Sequence, residues 1–207
     1  MSRPVHPRSE RAHEVVAGNV LARHEATTGE RVELPVPIER IIEVTYGIEV
    51  LTDNLVEPPD GIILGALYPK QKRIVLNAAH ESLFERVVGP ERFTLAHELG
   101  HWIYDAEPEN QLELALEDPK SETFCYHRDA PHLADSLRLR EINANKLAAH
   151  LLLPTHLLRA VELDDVLADF RAVAARWGVS QQTLRIRLET LGMLSESDAA
   201  CLDLGWI

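Results

Sequence analysis

The sequence predicts an α+β fold: a small, antiparallel-type sheet packed on a helical core, with a C-terminal helical extension. Three observations carry this. Apolar residues recur at helical spacing in the first 46 residues, short apolar runs bounded by turn residues fill 48–78, and helical spacing returns from residue 81 onward. The chain has 207 residues, enough for one well-buried core, and 45% hydrophobic residues, too many for a disordered chain.

The elements follow in order. Residues 9–25 place Ala12, Val15, Val16, Val20 and Leu21 on one side of a helix. A second helix over 37–46 is opened by Pro37 and closed by Gly47. Ile48–Leu51, Ile62–Tyr68 and Arg73–Ala78 read as strands; Pro58, Pro59 and Gly61 punctuate the first gap, and Pro69 to Lys72 form a hairpin turn. Helices are then expected over Glu91–Tyr104, Asp135–Leu153, Thr155–Val161, Asp165–Trp177 and Gln181–Leu191. Between them, Asp105 to His132 is polar and without a clear period, and reads as a loop. Three regions result: an N-terminal helical segment 1–34, a core 35–160, and a C-terminal helical region 161–207.

Composition excludes several functions. The chain carries 33 acidic against 21 basic residues, a formal charge of −12. That argues against a general nucleic-acid binder, which needs a basic surface. Cys125 and Cys201 form no C-x-x-C pair, so neither a thiolate zinc site nor a disulfide framework is expected. The N-terminus shows no apolar signal-peptide region, and the apolar stretches 61–68 and 147–154 are too short to span a bilayer. A cytoplasmic protein is the expectation, with no membrane partner.

One segment carries chemistry. His97-Glu98-Leu99-Gly100-His101 fits H-E-x-x-H. Residues four apart share a helix face, so both imidazoles can reach one zinc ion, while Glu98 can act on water there without taking a coordination position. Phe93, Leu95, Ala96, Leu99, Trp102 and Ile103 supply the apolar surround of a buried helix. The same pattern also describes an amphipathic helix whose histidines are merely satisfied. The preferred third ligand is Glu141. It shares a stripe about 60° wide with Asn145, Ala148 and Leu152, and a carboxylate opening such a stripe is costly unless a positive charge meets it. Spacing alone leaves open a surface charge paired with Arg138 or Arg140. Asn145 could hold the non-ligating nitrogen of His97. His150 falls half a turn away from the metal side. Tyr126, His127 and His132, in the loop, are candidate oxyanion donors as against solvated loop residues. His6, His13, His24, His80 and His156 have no metal-ligand spacing.

At this point the chain resembles the ImmA/IrrE family of metallopeptidases. The resemblance rests on residues 92–101, on Glu141, Ala144, Asn145, Ala148, Ala149, Leu152, Leu153 and Pro154 with their spacing, and on Val179-Ser180, Leu184, Arg187-Leu188 and Leu191-Gly192. Ile74-Val75-Leu76-Asn77 also fits, so it spans about 35–192. Leu147 departs, where the family more often has an aromatic residue; that concerns packing. The resemblance implies a thermolysin-like zincin core over 35–160. It implies zinc, with manganese as the alternative, held by His97, His101 and Glu141, and Glu98 as general base. It also implies a protein substrate, foremost a helix-turn-helix repressor. The strand Arg73 to Asn77 is expected to be the sheet edge that receives an extended substrate.

The C-terminal helices form a helix–Gly-turn–helix pattern. Val166, Leu167, Phe170, Val173, Ala174 and Trp177 make a stripe, Gly178 ends it, and Ser180 can cap the next helix. Arg171, Arg176, Arg185 and Arg187 against Asp169 and Glu189 leave this stretch weakly basic. Packing on the core, or recognition of a protein partner, is expected before direct nucleic-acid binding. The rival reading is a non-proteolytic regulator, or a toxin–antitoxin component, that binds a repressor or DNA through these helices.

Overall fold

The computed structural model describes residues 7–59, 61–106, 124–128, 135–195 and 202. Helix α1 (Glu10–Thr28) begins at Ser9, whose hydroxyl accepts from the Ala12 amide, and ends at Gly29 with φ 75°. His13, Ala17, Val20, Leu21 and His24 form its buried face at the expected three- and four-residue spacing. The predicted helix over 37–46 is shorter in its α part: α2 (Ile38–Arg40) passes into a π-helical turn, Ile41–Thr45.

The sheet contains β1 (Glu49–Asp53), β2 (Ile62–Tyr68), β3 (Arg73–Asn77) and β4 (Phe124–Arg128), in the order β1-β3-β2-β4. β2 pairs antiparallel with β3 and β4. β1 pairs parallel with β3, so the sheet is mixed. The segment after β1 passes across the end of the hairpin, and Asn77 pins it there. Wholly buried, Asn77 accepts from the amides of Leu55 (3.2 Å) and Ala79 (3.1 Å) and donates to the Ile63 carbonyl (2.8 Å). Glu57 of the same segment accepts from the Ile63 amide at 2.8 Å.

Two expectations are corrected here. β3 lies inside the sheet, between β1 and β2, and is no edge. The edges among the described residues are β1 and β4, and β4 falls within the stretch read from sequence as loop. Its pairing partner β2 is about 60 residues upstream, beyond any local pattern.

Helix α3 (Glu81–Arg86) leads to α4 (Pro90–His101), which starts with Pro90 at its first position after Gly89 and continues as a π-helical turn, Trp102–Ala106. Helices α5 (Asp135–Leu152), α6 (Thr155–Leu158), α7 (Leu163–Ala168), α8 (Phe170–Arg176) and α9 (Gln181–Thr190) follow. The single helix expected over 165–177 is therefore two. Asp169 leaves helical geometry (φ −144°, ψ 63°) and caps α8 by accepting from the Ala172 amide. Ser180 caps α9 as expected, and Gly178 turns the chain at φ 67°.

α4 lies between the sheet and α5. Two glycines set these distances. A Cβ on Gly65 of β2 would stand 2.5 Å from Thr94 Cγ2, and one on Gly100 would stand 3.2 Å from the backbone of Ala144. One apolar core runs from Val20 and Leu21 through Ile74, Leu99 and Leu151 to Leu188.

Candidate metal centre

The site is built where α4 crosses α5. α4 turns His97 and His101 to one face and buries both completely, with Glu98 equally buried beside them. The missing side chain at Gly65 lets this part of α4 approach β2; the Cβ position there is 3.7 Å from Glu98 Cγ. From α5, the stripe that buries Ala144, Leu147, Ala148 and Leu151 also presents Glu141 and Asn145 one turn apart.

The ligand atoms converge. His97 Nε2 and His101 Nε2 are 3.0 Å apart, and each lies 3.2 Å from a Glu141 carboxylate oxygen. His97 Nδ1 donates to Asn145 Oδ1 at 2.9 Å, and His101 Nδ1 donates to Asp105 Oδ2 at 3.2 Å. Both acceptors are oxygens, so the ring proton of each neutral imidazole belongs on Nδ1 and each Nε2 presents a lone pair. A proton on one Nε2 satisfies one pair of these atoms. A divalent cation among them satisfies all three. Ligand atoms around a tetrahedral zinc, at bonds of about 2.0–2.1 Å, stand about 3.3 Å apart, close to the separations found. The donor set, two imidazoles and a carboxylate, suits zinc and leaves a fourth position free.

The electrostatics of the metal-free site agree. Burial would lower the His101 pKa, but its hydrogen bonds to Asp105 and Glu141 outweigh this and raise it to about 10. Burial lowers His97, with the neighbouring His101 adding to the effect. Burial would raise Glu141, yet His101 and His97 bring it down to about 2. A positive charge is thus held among these groups before any metal arrives.

The other candidates fall elsewhere. Tyr126 and His127 lie on β4, the edge strand packed beside α4, but their side chains, like His132, lie outside the described residues. His150 is buried away from the metal face: it donates from Nε2 to Glu10 at 3.0 Å and accepts on Nδ1 from Arg187 at 3.1 Å. His13 and His24 are buried polar residues, facing the hydroxyls of Tyr104 and Thr45, while His80 bonds Glu57. Asp105 is the polar contact of the site that spacing did not single out, although it stands one helical turn beyond His101.

A mixed sheet laid against a helix with His-Glu-x-x-His, and a carboxylate from the next core helix completing the set, defines a zincin-like metal-site protein. The sequence model described as Peptidase_M78, the IrrE N-terminal-like domain, matches residues 55–189. The chain belongs to this metallopeptidase family. No curated protein matches it significantly. A solved structure of a Mycobacterium tuberculosis transcriptional regulator is similar, with 19% identity and a TM-score of 0.48 over 92% of this chain and 48% of that one. The chain thus spans about half the length of that protein. No helix among the described residues is long and apolar enough to cross a membrane.

Proposed function

We propose that the chain is a zinc-dependent endopeptidase that cleaves a regulatory protein, foremost a helix-turn-helix repressor. The observation that carries the reading is the convergence of His97, His101 and Glu141 within hydrogen-bond distance of one another, with Glu98 buried next to them. A divalent metal held there supplies Lewis acidity toward water and toward the scissile carbonyl. Glu98 then serves as general base and acid: its carboxylate takes a proton from the attacking water and returns it to the leaving amine. His97 is held in one orientation by Asn145. An extended substrate adds to the sheet edge at β4, which lies beside α4, and not at β3 as the sequence suggested.

Support for a repressor comes from the family resemblance and from charge. A surface of net −12 attracts a basic DNA-binding protein. The rival reading, DNA binding through the C-terminal helices, loses one of its arginines: Arg187 is 3% exposed and donates to the Leu153 carbonyl, Thr155 and His150.

Glu98→Gln is expected to retain zinc and lose cleavage of the repressor by a factor of about 10² or more. Cleavage by this variant at the rate of the unaltered chain would sink the mechanism. An intact repressor after incubation with zinc- and manganese-loaded protein would sink the substrate assignment.

A further inference from the structure

Asp105 faces His101 with one oxygen and Arg140 with the other. Oδ2 accepts from His101 Nδ1 at 3.2 Å, and Oδ1 lies 3.8 Å from Arg140 Nε, within reach of charge attraction but beyond a hydrogen bond. The side chain is 13% exposed, and Arg140 Nε is itself buried. Asp105 faces the ring edge opposite Nε2, so it cannot join the ligand set that Nε2 defines. We propose that Asp105 is the positioning residue of His101, with the charge of Arg140, from the helix that carries Glu141, beside it. The two imidazoles are then supported unequally. His97 leans on the neutral amide of Asn145, His101 on an anion. A carboxylate behind an imidazole fixes the tautomer and strengthens the opposite nitrogen as a donor, which an amide does less well.

The arrangement also has a mechanical side. Asn145 of α5 reaches to α4, and Asp105 beyond α4 reaches toward Arg140 of α5. The helices that supply the three ligand atoms are thus joined by a hydrogen bond on one flank of the site and by charge attraction on the other. Asp105 lies in the π-helical turn that extends α4, and such turns recur where a helix serves a functional site.

The inference rests on the metal-centre reading but not on cleavage, so its test uses metal binding without substrate. Zinc affinity is measured by chelator competition for the full chain, Asp105→Ala, Asp105→Asn and His101→Ala, and visible spectra are taken of the cobalt-loaded proteins. Asp105→Ala is expected to weaken zinc by about 10- to 100-fold and to shift the cobalt bands. Asp105→Asn keeps an acceptor oxygen for His101, so it is expected to retain the fold and fall between the two. Should Asp105→Ala not fold by circular dichroism, the Asp105→Asn affinity and spectrum decide. Unchanged affinity and an unchanged cobalt spectrum in the Asp105 variants, with loss in His101→Ala, would overturn the proposal. Zinc binding indifferent to His101→Ala would overturn it together with the metal centre. Metal binding that depends on Asp105 in a chain that cleaves nothing would support the proposal and defeat the peptidase reading alone.

Discussion

His97 and His101 share a ring and a helix face but not a charge state. Without metal, His101 is raised to about 10 and holds a proton that a metal ion must displace. Zinc binding near neutral pH is therefore expected to release about one proton, and the apparent affinity to rise about tenfold per pH unit below that pKa. Calorimetry in buffers of different ionisation enthalpy measures the proton; an affinity flat from pH 6 to 8 would contradict the charge state. At this scale the sequence was most informative. H-E-x-x-H placed His97, Glu98 and His101, and a helical stripe led to Glu141 and Asn145, which the structure brings to one point. Asp105 escaped because polar residues end the apolar period there, so it was read as the start of a loop. A π-helical turn carries the helix on to Ala106, and no periodicity announces it.

Between elements, small residues govern the approach. Gly100→Ala would push a methyl group against the Ala144 backbone and separate α4 from α5. That contact opposes the roughly 1 kcal/mol that alanine gains over glycine within a helix, so the expected readout is weaker zinc binding, because the ligands sit on the two displaced helices, and affinity equal to the parent's would refute the close approach. Arg187→Ala removes the buried donor to the Leu153 carbonyl and the partner of His150 Nδ1. A loss of about 2–4 kcal/mol is expected, and a thermal midpoint unchanged from the parent would refute that role. Element type was legible where the period was long, as in α1 and α5, or sharply bounded, as in β2. It was not legible for β4, whose strand conformation comes from a partner far along the chain, nor for the break at Asp169, where a capping side chain overrides an unbroken apolar stripe.

Across the whole molecule, α1 is tied to α5 through polar contacts as well as packing. Glu10 accepts from Lys146 at 2.7 Å and from His150 at 3.0 Å, and Arg187 donates to the far side of His150. Burial would raise Glu10, but Lys146 and His150 draw it down to about 2. Its stabilising effect is present above its ordinary value and is lost as pH falls toward 2. Burial, aided by His150, lowers His13 to about 4. A histidine depressed in the folded state stabilises above its ordinary pKa of about 6.5, and that contribution fades as pH falls through 4. His13→Asn cannot titrate, so its thermal midpoint is expected to fall less than the parent's between pH 6.5 and 4; parallel curves would refute this. The α+β class and the placing of the first three strands before the metal helix were legible. The tie of α1 to α5 was not, because it joins residues more than 130 positions apart.

Arg92 gives the arrangement a mechanical consequence. Its guanidinium donates to the Gly178 carbonyl at 3.1 Å and to the Val36 carbonyl, and a Cβ on Gly178 would collide with it. Arg92 precedes His97 by about one and a half helical turns. A load applied to the turn between α8 and α9 therefore reaches the start of the helix carrying both imidazoles through Arg92, and also through Gly89, which packs on Val179 and Ser180, without passing along the intervening chain. The turn that joins the C-terminal helices and the first turn of the metal helix thus share one anchorage, although 86 positions of chain separate Arg92 from Gly178.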